Sequence, residues 1–211
     1  MRLSDKTPSS LLVKLASLIS KRRFGKVIAP LRRIYSRRPV LLGVVMKIEA
    51  ANKKLSLPQE LKLLLRTYVS SLNECSFCSD LNLYESRKGN IEKEKLRDLL
   101  NFRTNNTYPE KEKAMLAYCE EVTLSKTCTD ECFNELRKHF TEEEIIEITW
   151  LNAIENYYNY QAKPLGLISD GLYQQQGHED YSGNDPPQYT RLFFNRLRQI
   201  SRENNEAHTI L

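Results

Sequence analysis

The sequence predicts an all-α protein, and three observations carry that expectation. Apolar residues recur at helical spacing over long stretches, as at Leu61, Leu64, Leu65, Tyr68 and Leu72, and no alternating segment suggests a strand. Glycine is scarce, seven in 211 residues, which argues against a sandwich or a barrel. Residue types also mark helix ends: Pro58 can open a helix, and Thr141 with Glu144 has the spacing of a capping box. The length suits one domain with a tail or two small domains, and 40% hydrophobic residues suffice to bury a core.

At least seven helices follow in order. The first, about Ser9 to Lys21, places Leu11, Leu12, Leu15, Leu18 and Ile19 on one face, with Lys21, Arg22 and Arg23 after it. Packing on the protein's own core is the commonest use of such a face, with the cations favoured by the helix dipole. Contact with a membrane surface, nucleic acid or an acidic partner is the alternative, because residues 1–54 hold fourteen Lys/Arg against two Asp/Glu. That local +12 leaves −7 for the remainder of a chain whose net charge is +5. An Arg-rich, acid-poor amphipathic start also resembles an organelle transit peptide. A basic link, Arg32 to Arg38, leads to a second helix at Pro39 to Lys53, and Pro58 opens a third running to Leu72.

Asn73 is expected to cap that helix, so that the next begins on a new axis at Cys75 and stops near Gly89 and Asn90. A short helix at Lys93 to Leu100 precedes a polar loop at 104–109. Helices Glu110 to Ser125, Asp130 to His139 and Thr141 to Lys163 follow, the last stopped by Pro164. Residues 1–173 thus form a helical domain, and 174–188 a polar linker without core formers. Within 189–211, a last amphipathic helix, from about Gln188 to Glu203, carries Leu192, Phe193, Leu197 and Ile200. Too short to be stable alone, it should dock on this subunit or a neighbour.

The chemistry centres on Cys75 and Cys78, two thiols three residues apart behind a long apolar run. At the first turn of a helix, unpaired N–H groups and the dipole favour thiolate over thiol. Three readings compete: a redox dithiol, half of a zinc site completed by Cys128 and Cys132, or buried cysteines without chemistry. Zinc ranks below the redox reading, because compact structural sites draw on short loops or ribbons and this region reads as helical. Cys119 reads as a small buried hydrophobe. An odd cysteine count and no evident signal peptide point to a reducing compartment, the cytoplasm, and no segment approaches the roughly 20 apolar residues of a membrane span. His139, His178 and His208 have no ligand spacing, and no phosphate loop, carboxylate metal site or Ser/His/Asp order is evident. Tyr157, Tyr158 and Tyr160 can line a substrate pocket beside the dithiol, although a helical core or a subunit contact is the commoner role for such a run.

Several separated strings carry a family resemblance. Val69 to Cys78 (VSSLNECSFC), Tyr108 to Tyr118 (YPEKEKAMLAY), His139 to Glu147 (HFTEEEIIE) and Asn152 to Asn156 (NAIEN) agree in order and spacing. Over about Tyr35 to Leu167 the chain resembles the carboxymuconolactone decarboxylase and alkylhydroperoxidase D superfamily. That resemblance implies an oligomeric helical bundle, a homotrimer or homohexamer, with thiol peroxidase chemistry. By the same resemblance Cys78 is the peroxidatic thiol and Cys75 the resolving one, with hydroperoxide as substrate. An external thiol reductant reopens the Cys75–Cys78 disulfide, and no other cofactor is expected. The decarboxylase branch lacks the cysteine pair.

The resemblance also exposes a departure. The redox branch places a histidine four residues after its second cysteine and a glutamate twelve before its first, where this chain has Asn82 and Leu63. Asn82 can hold a hydrogen bond but cannot titrate. Candidate replacements are Glu60, Tyr68, Glu74 and Glu155, against the plainer readings of solvated helix ends for Glu60 and Glu74 and a core aromatic for Tyr68. The expected function is a thiol-dependent peroxidase of antioxidant defence. The alternatives are a thiol-disulfide oxidoreductase without peroxidase turnover and a non-catalytic oligomeric scaffold.

Overall fold

Proline, glycine and capping side chains set the helix boundaries, and every regular element among the described residues is helical. The structure is a computed structural model that describes residues 2–86, 91, 95, 96 and 98–173. The expected linker and C-terminal helix, His178 and His208, the helix end near Gly89 and part of the short helix at 93–100 lie outside those residues.

Helix α1 (Leu11–Phe24) ends on Gly25, whose φ of 72° lets its N–H return to the Lys21 carbonyl. A single π-helical turn, Leu31–Tyr35, leads into α2 (Pro39–Asn52), with Pro39 at its first position. Helix α3 (Gln59–Leu72) is the most deeply buried, because every residue from Leu61 to Leu72 except Lys62 and Arg66 is buried. It packs against α4 (Ser76–Ser86), α5 (Glu110–Ser125) and α7 (Glu142–Ala162), while α6 (Asp130–Arg137) lies on α5. The capping box forms as the sequence predicts. Thr141 Oγ1 accepts from the Glu144 N–H and the Glu144 carboxylate from the Thr141 N–H, at 3.2 and 2.9 Å.

The break between α3 and α4 differs from expectation in one residue. Asn73 stays near helical geometry, and Glu74 takes the left-handed conformation, φ 52°. Asn73 is held there because its side-chain amide donates to Asn156 and Asn159 of α7, which leaves the reversal to its neighbour. The Cys75 N–H then bonds back to the Ser70 carbonyl at 3.0 Å, closing the end of α3.

Buried side chains form two clusters. The larger joins α3, α5, α6 and α7, with Tyr68, Phe102 and Tyr108 meeting edge to face inside it. The smaller gathers Val13, Leu31, Ile34, Tyr35 and Leu42 from the N-terminal part against Cys75, Phe77 and Cys78, closed by Ala162 and Leu167. The thiols therefore sit where the N-terminal helices meet the bundle.

The face of α1 turned inward is not the one expected. Val13, Ser20 and Phe24 are buried, whereas Leu11, Leu12, Leu15, Leu18 and Ile19 are 36 to 72% exposed. Packing of the aliphatic stripe on the protein's own core is thus overturned. Small residues on the opposite side, Ala16, Ser17 and Ser20, let the helix approach closely, and Ser20 Oγ fixes it by donating to the Lys26 carbonyl and accepting from the Ile28 N–H.

Candidate thiol site

Both cysteines are set by the start of α4. The Cys75 carbonyl accepts the first helical bond, from the Ser79 N–H at 2.8 Å, and its sulfur accepts from the Cys78 N–H at 3.4 Å. Cys75 therefore caps the helix with its sulfur, where the partial positive charge of the N-terminus favours negative sulfur. The two residues are joined as a disulfide, Cα to Cα 5.3 Å. Each is almost fully buried.

A cavity of about 240 Å³ opens onto Cys78 and not onto Cys75. Phe24, Ile34, Tyr35, Phe77, Leu81 and Leu167 give it apolar walls. Its polar groups include Asn82, Glu155, Arg66, Glu49, Tyr158 and Gln161, with Arg23 and Glu85 also among its lining.

Glu155, from the middle of α7, is 1% exposed and is satisfied by four donors. Arg66 Nε and Ser70 Oγ reach it from α3 at 2.8 and 2.6 Å. The Nδ2 amides of Asn82 and Asn159 each reach it at 3.1 Å. Asn82 also donates to Ser70 Oγ at 2.9 Å, so Asn82, Ser70 and Glu155 form a closed triangle beside the cavity. Burial works against the charge on Arg66, but the carboxylates of Glu155 and Glu49 outweigh it and hold the guanidinium protonated more firmly than usual. Tyr158 donates to Glu49 at 2.9 Å, and burial followed by that carboxylate pushes its phenol up. Burial does the same to Tyr35.

The other proposed relay groups lie elsewhere. Glu60 is at the surface in an ion pair with Lys95, 3.2 Å. Tyr68 belongs to the larger cluster, its ring 5.4 Å from Phe102, and burial raises its phenol. Glu74 pairs with Lys163 at 2.9 Å on the outside, and Leu63 is a buried core residue. Of the four candidates, Glu155 alone lines the cavity with Cys78. Tyr158 lines it too, taking the less common of the two roles its run offered, while Tyr160 is exposed. Sequence reasoning missed Arg66 and Ser70. Their signal was a cation within a buried apolar helix and a serine one turn on, both turned towards α7.

The remaining thiols form a separate group. Cys119 is fully buried and Cys128 and Cys132 pack on the larger cluster, whereas Cys75 and Cys78 belong to the smaller one, so the two pairs do not assemble the expected zinc alternative. Among the described residues no cluster of three metal-ligating side chains occurs. Burial pushes the Cys119 thiol up, and burial with a hydrogen bond donated to the Glu121 carboxylate pushes Cys132 up to about 12. His139 stands beside Glu135 at 3.5 Å and does not reach the cavity.

No protein-family model matches the sequence. The uncharacterized protein YdfG of Bacillus subtilis is 28% identical over 127 residues, 59% of this chain and 86% of that protein. A solved structure from Agrobacterium tumefaciens, a protein of unknown function with a suggested AhpD role in antioxidant defence, is 28% identical. It covers 62% of this chain and 91% of its own, with a TM-score of 0.60. The chain has the AhpD-like helical fold. The debrominase Bmp8 shares this AhpD-like fold at 19% identity, covering 82% of this chain and 94% of its own with a TM-score of 0.71. At that identity the likeness concerns the fold alone. Within an AhpD-like bundle, then, a cavity meets one cysteine of a bonded pair, and a buried carboxylate lines the same cavity.

Proposed function

We propose that this AhpD-like chain is a thiol peroxidase of antioxidant defence acting on organic hydroperoxides. The observation that carries the proposal is the opening of the cavity onto Cys78, with Asn82 and Glu155 in the same wall. In the reduced protein the Cys78 thiolate attacks the distal peroxide oxygen, the O–O bond breaks, and the alkoxide leaves as an alcohol after taking a proton. Glu155 accepts the Cys78 proton, with Asn82 and Ser70 positioning the groups between them, and Arg66 offsets the repulsion between carboxylate and thiolate. Cys75, whose sulfur caps α4, then attacks the sulfenic acid at Cys78; the disulfide forms and water leaves. An external dithiol restores both thiols and is itself oxidised to a disulfide.

A second reading, thiol-disulfide exchange without peroxide, is favoured by Asn82, which cannot carry a proton where the redox branch has a histidine. The debrominase neighbour is a reason to choose the substrate by experiment and not by fold. Steady-state consumption of an organic hydroperoxide in the presence of a dithiol separates the readings. Peroxidase action requires consumption that is lost in Cys78→Ser, whereas opening of a model disulfide with no peroxide consumed leaves exchange as the function. The cycle needs no cofactor beyond the Cys75–Cys78 pair, and a reducing compartment such as the cytoplasm suits it. Among the described residues no helix is long and apolar enough to cross a membrane. A homotrimer or homohexamer is the assembly this reading carries, and Val40 and Val44, exposed one turn apart on α2, are an apolar face available to it.

A further inference from the structure

We propose that α1 is a membrane-surface helix, and that its exposed aliphatic stripe docks on an anionic lipid bilayer. Leu11, Leu12, Leu15, Leu18 and Ile19 follow one another at helical spacing and cover about 120° of the helix circumference. None of the five contributes to the buried clusters. Five large aliphatic side chains left outward on one helix form a contiguous patch of the kind that marks an interaction surface.

Charge chooses the occupant. Lys14, Lys21 and Arg22 stand exposed on this helix and make no ion pair among the described residues. Residues 6–48 contain eleven Lys/Arg and no Asp or Glu. Although Arg23, Arg32 and Arg33 pair with Glu85, Asp5 and Asp170 from outside this stretch, the exposed cations of α1 named above do not share those partners. A second copy meeting the stripe about a twofold axis would set these cations against themselves. Nucleic acid would neutralise them but gains nothing from aliphatic side chains, since bases stack on aromatic ones. An anionic bilayer satisfies both halves of the helix: the stripe enters the acyl boundary and the cations lie at the headgroups. The C-terminal end of the same helix supplies Arg23 and Phe24 to the lining of the Cys78 cavity.

The test is co-sedimentation of the full chain with vesicles of phosphatidylcholine alone and of phosphatidylcholine mixed with phosphatidylglycerol. The proposal requires binding to the mixed vesicles that weakens as salt rises, and little to the neutral ones. The double variant Leu15→Glu/Ile19→Glu, at exposed positions that leave the core intact, must abolish it. Reversing Lys14, Lys21 and Arg22 to Glu must weaken it by about fivefold or more per cation. Wild-type protein that stays in the supernatant overturns the proposal, as does binding that survives the double variant. Sedimentation velocity without vesicles is the control: an oligomer that falls apart on Leu15→Glu/Ile19→Glu assigns the stripe to a second copy and overturns the lipid assignment.

Discussion

Glu155 shows how one residue can be structural and chemical at once. A carboxylate at 1% exposure holds its place only through its partners, and here Arg66, Ser70, Asn82 and Asn159 each donate to it. Removing the guanidinium in Arg66→Ala leaves that carboxylate buried without its cation, a loss of about 3–5 kcal/mol in unfolding free energy by urea titration. Glu155→Gln keeps the shape and cannot take a proton. If Glu155 is the base, the rate of thiol loss to peroxide falls about 10²-fold or more while the protein stays folded; an unchanged rate would remove it from the mechanism. The other thiols provide a contrast. A Cys132 thiol pushed up to about 12 is almost wholly protonated at neutral pH, and burial acts in the same direction on Cys119 and Cys128. With Cys75 and Cys78 replaced by serine, iodoacetamide should therefore label slowly at neutral pH and faster as pH rises towards the Cys132 value. Cys75 and Cys78 could be picked from the sequence because their type and spacing announce chemistry, and Glu155 from the family resemblance. Arg66 and Ser70 carry a weaker signal, a cation and a serine one turn apart on a buried helix, and only the packing of α3 against α7 gives them a partner.

Helix boundaries were legible wherever a side chain caps its own helix. The Thr141–Glu144 box is local, so sequence spacing was enough to find it, and Thr141→Ala should cost about 1 kcal/mol by thermal or chemical unfolding. An unchanged stability would mean that tertiary packing alone fixes the start of α7. The reversal before Cys75 was harder to place, since Asn73 is spent on bonds to α7 and Glu74 takes the strained conformation in its stead. The largest misreading at this scale was α1. Periodicity finds an apolar stripe but does not say what covers it, and the small face carrying Ala16, Ser17 and Ser20 is the one that packs inward.

At the scale of the molecule, the larger cluster anchors the bundle and the smaller one builds the thiol site. The helical class followed from composition and period, and the arrangement of the bundle from several strings resembling one superfamily in order. The meeting of α1, the π-helical turn and α4 around the cavity had no sequence signature, because its contacts are long-range. The central claim is that Cys78 meets the peroxide and Cys75 resolves it. The most direct measurement adds a stoichiometric organic hydroperoxide to reduced wild type, Cys75→Ser and Cys78→Ser, and identifies the sulfur products by mass spectrometry. The account predicts a Cys75–Cys78 disulfide in the wild type, a sulfenic acid stranded on Cys78 in Cys75→Ser, and no reaction in Cys78→Ser. Peroxide consumed by Cys78→Ser as fast as by the wild type would contradict it.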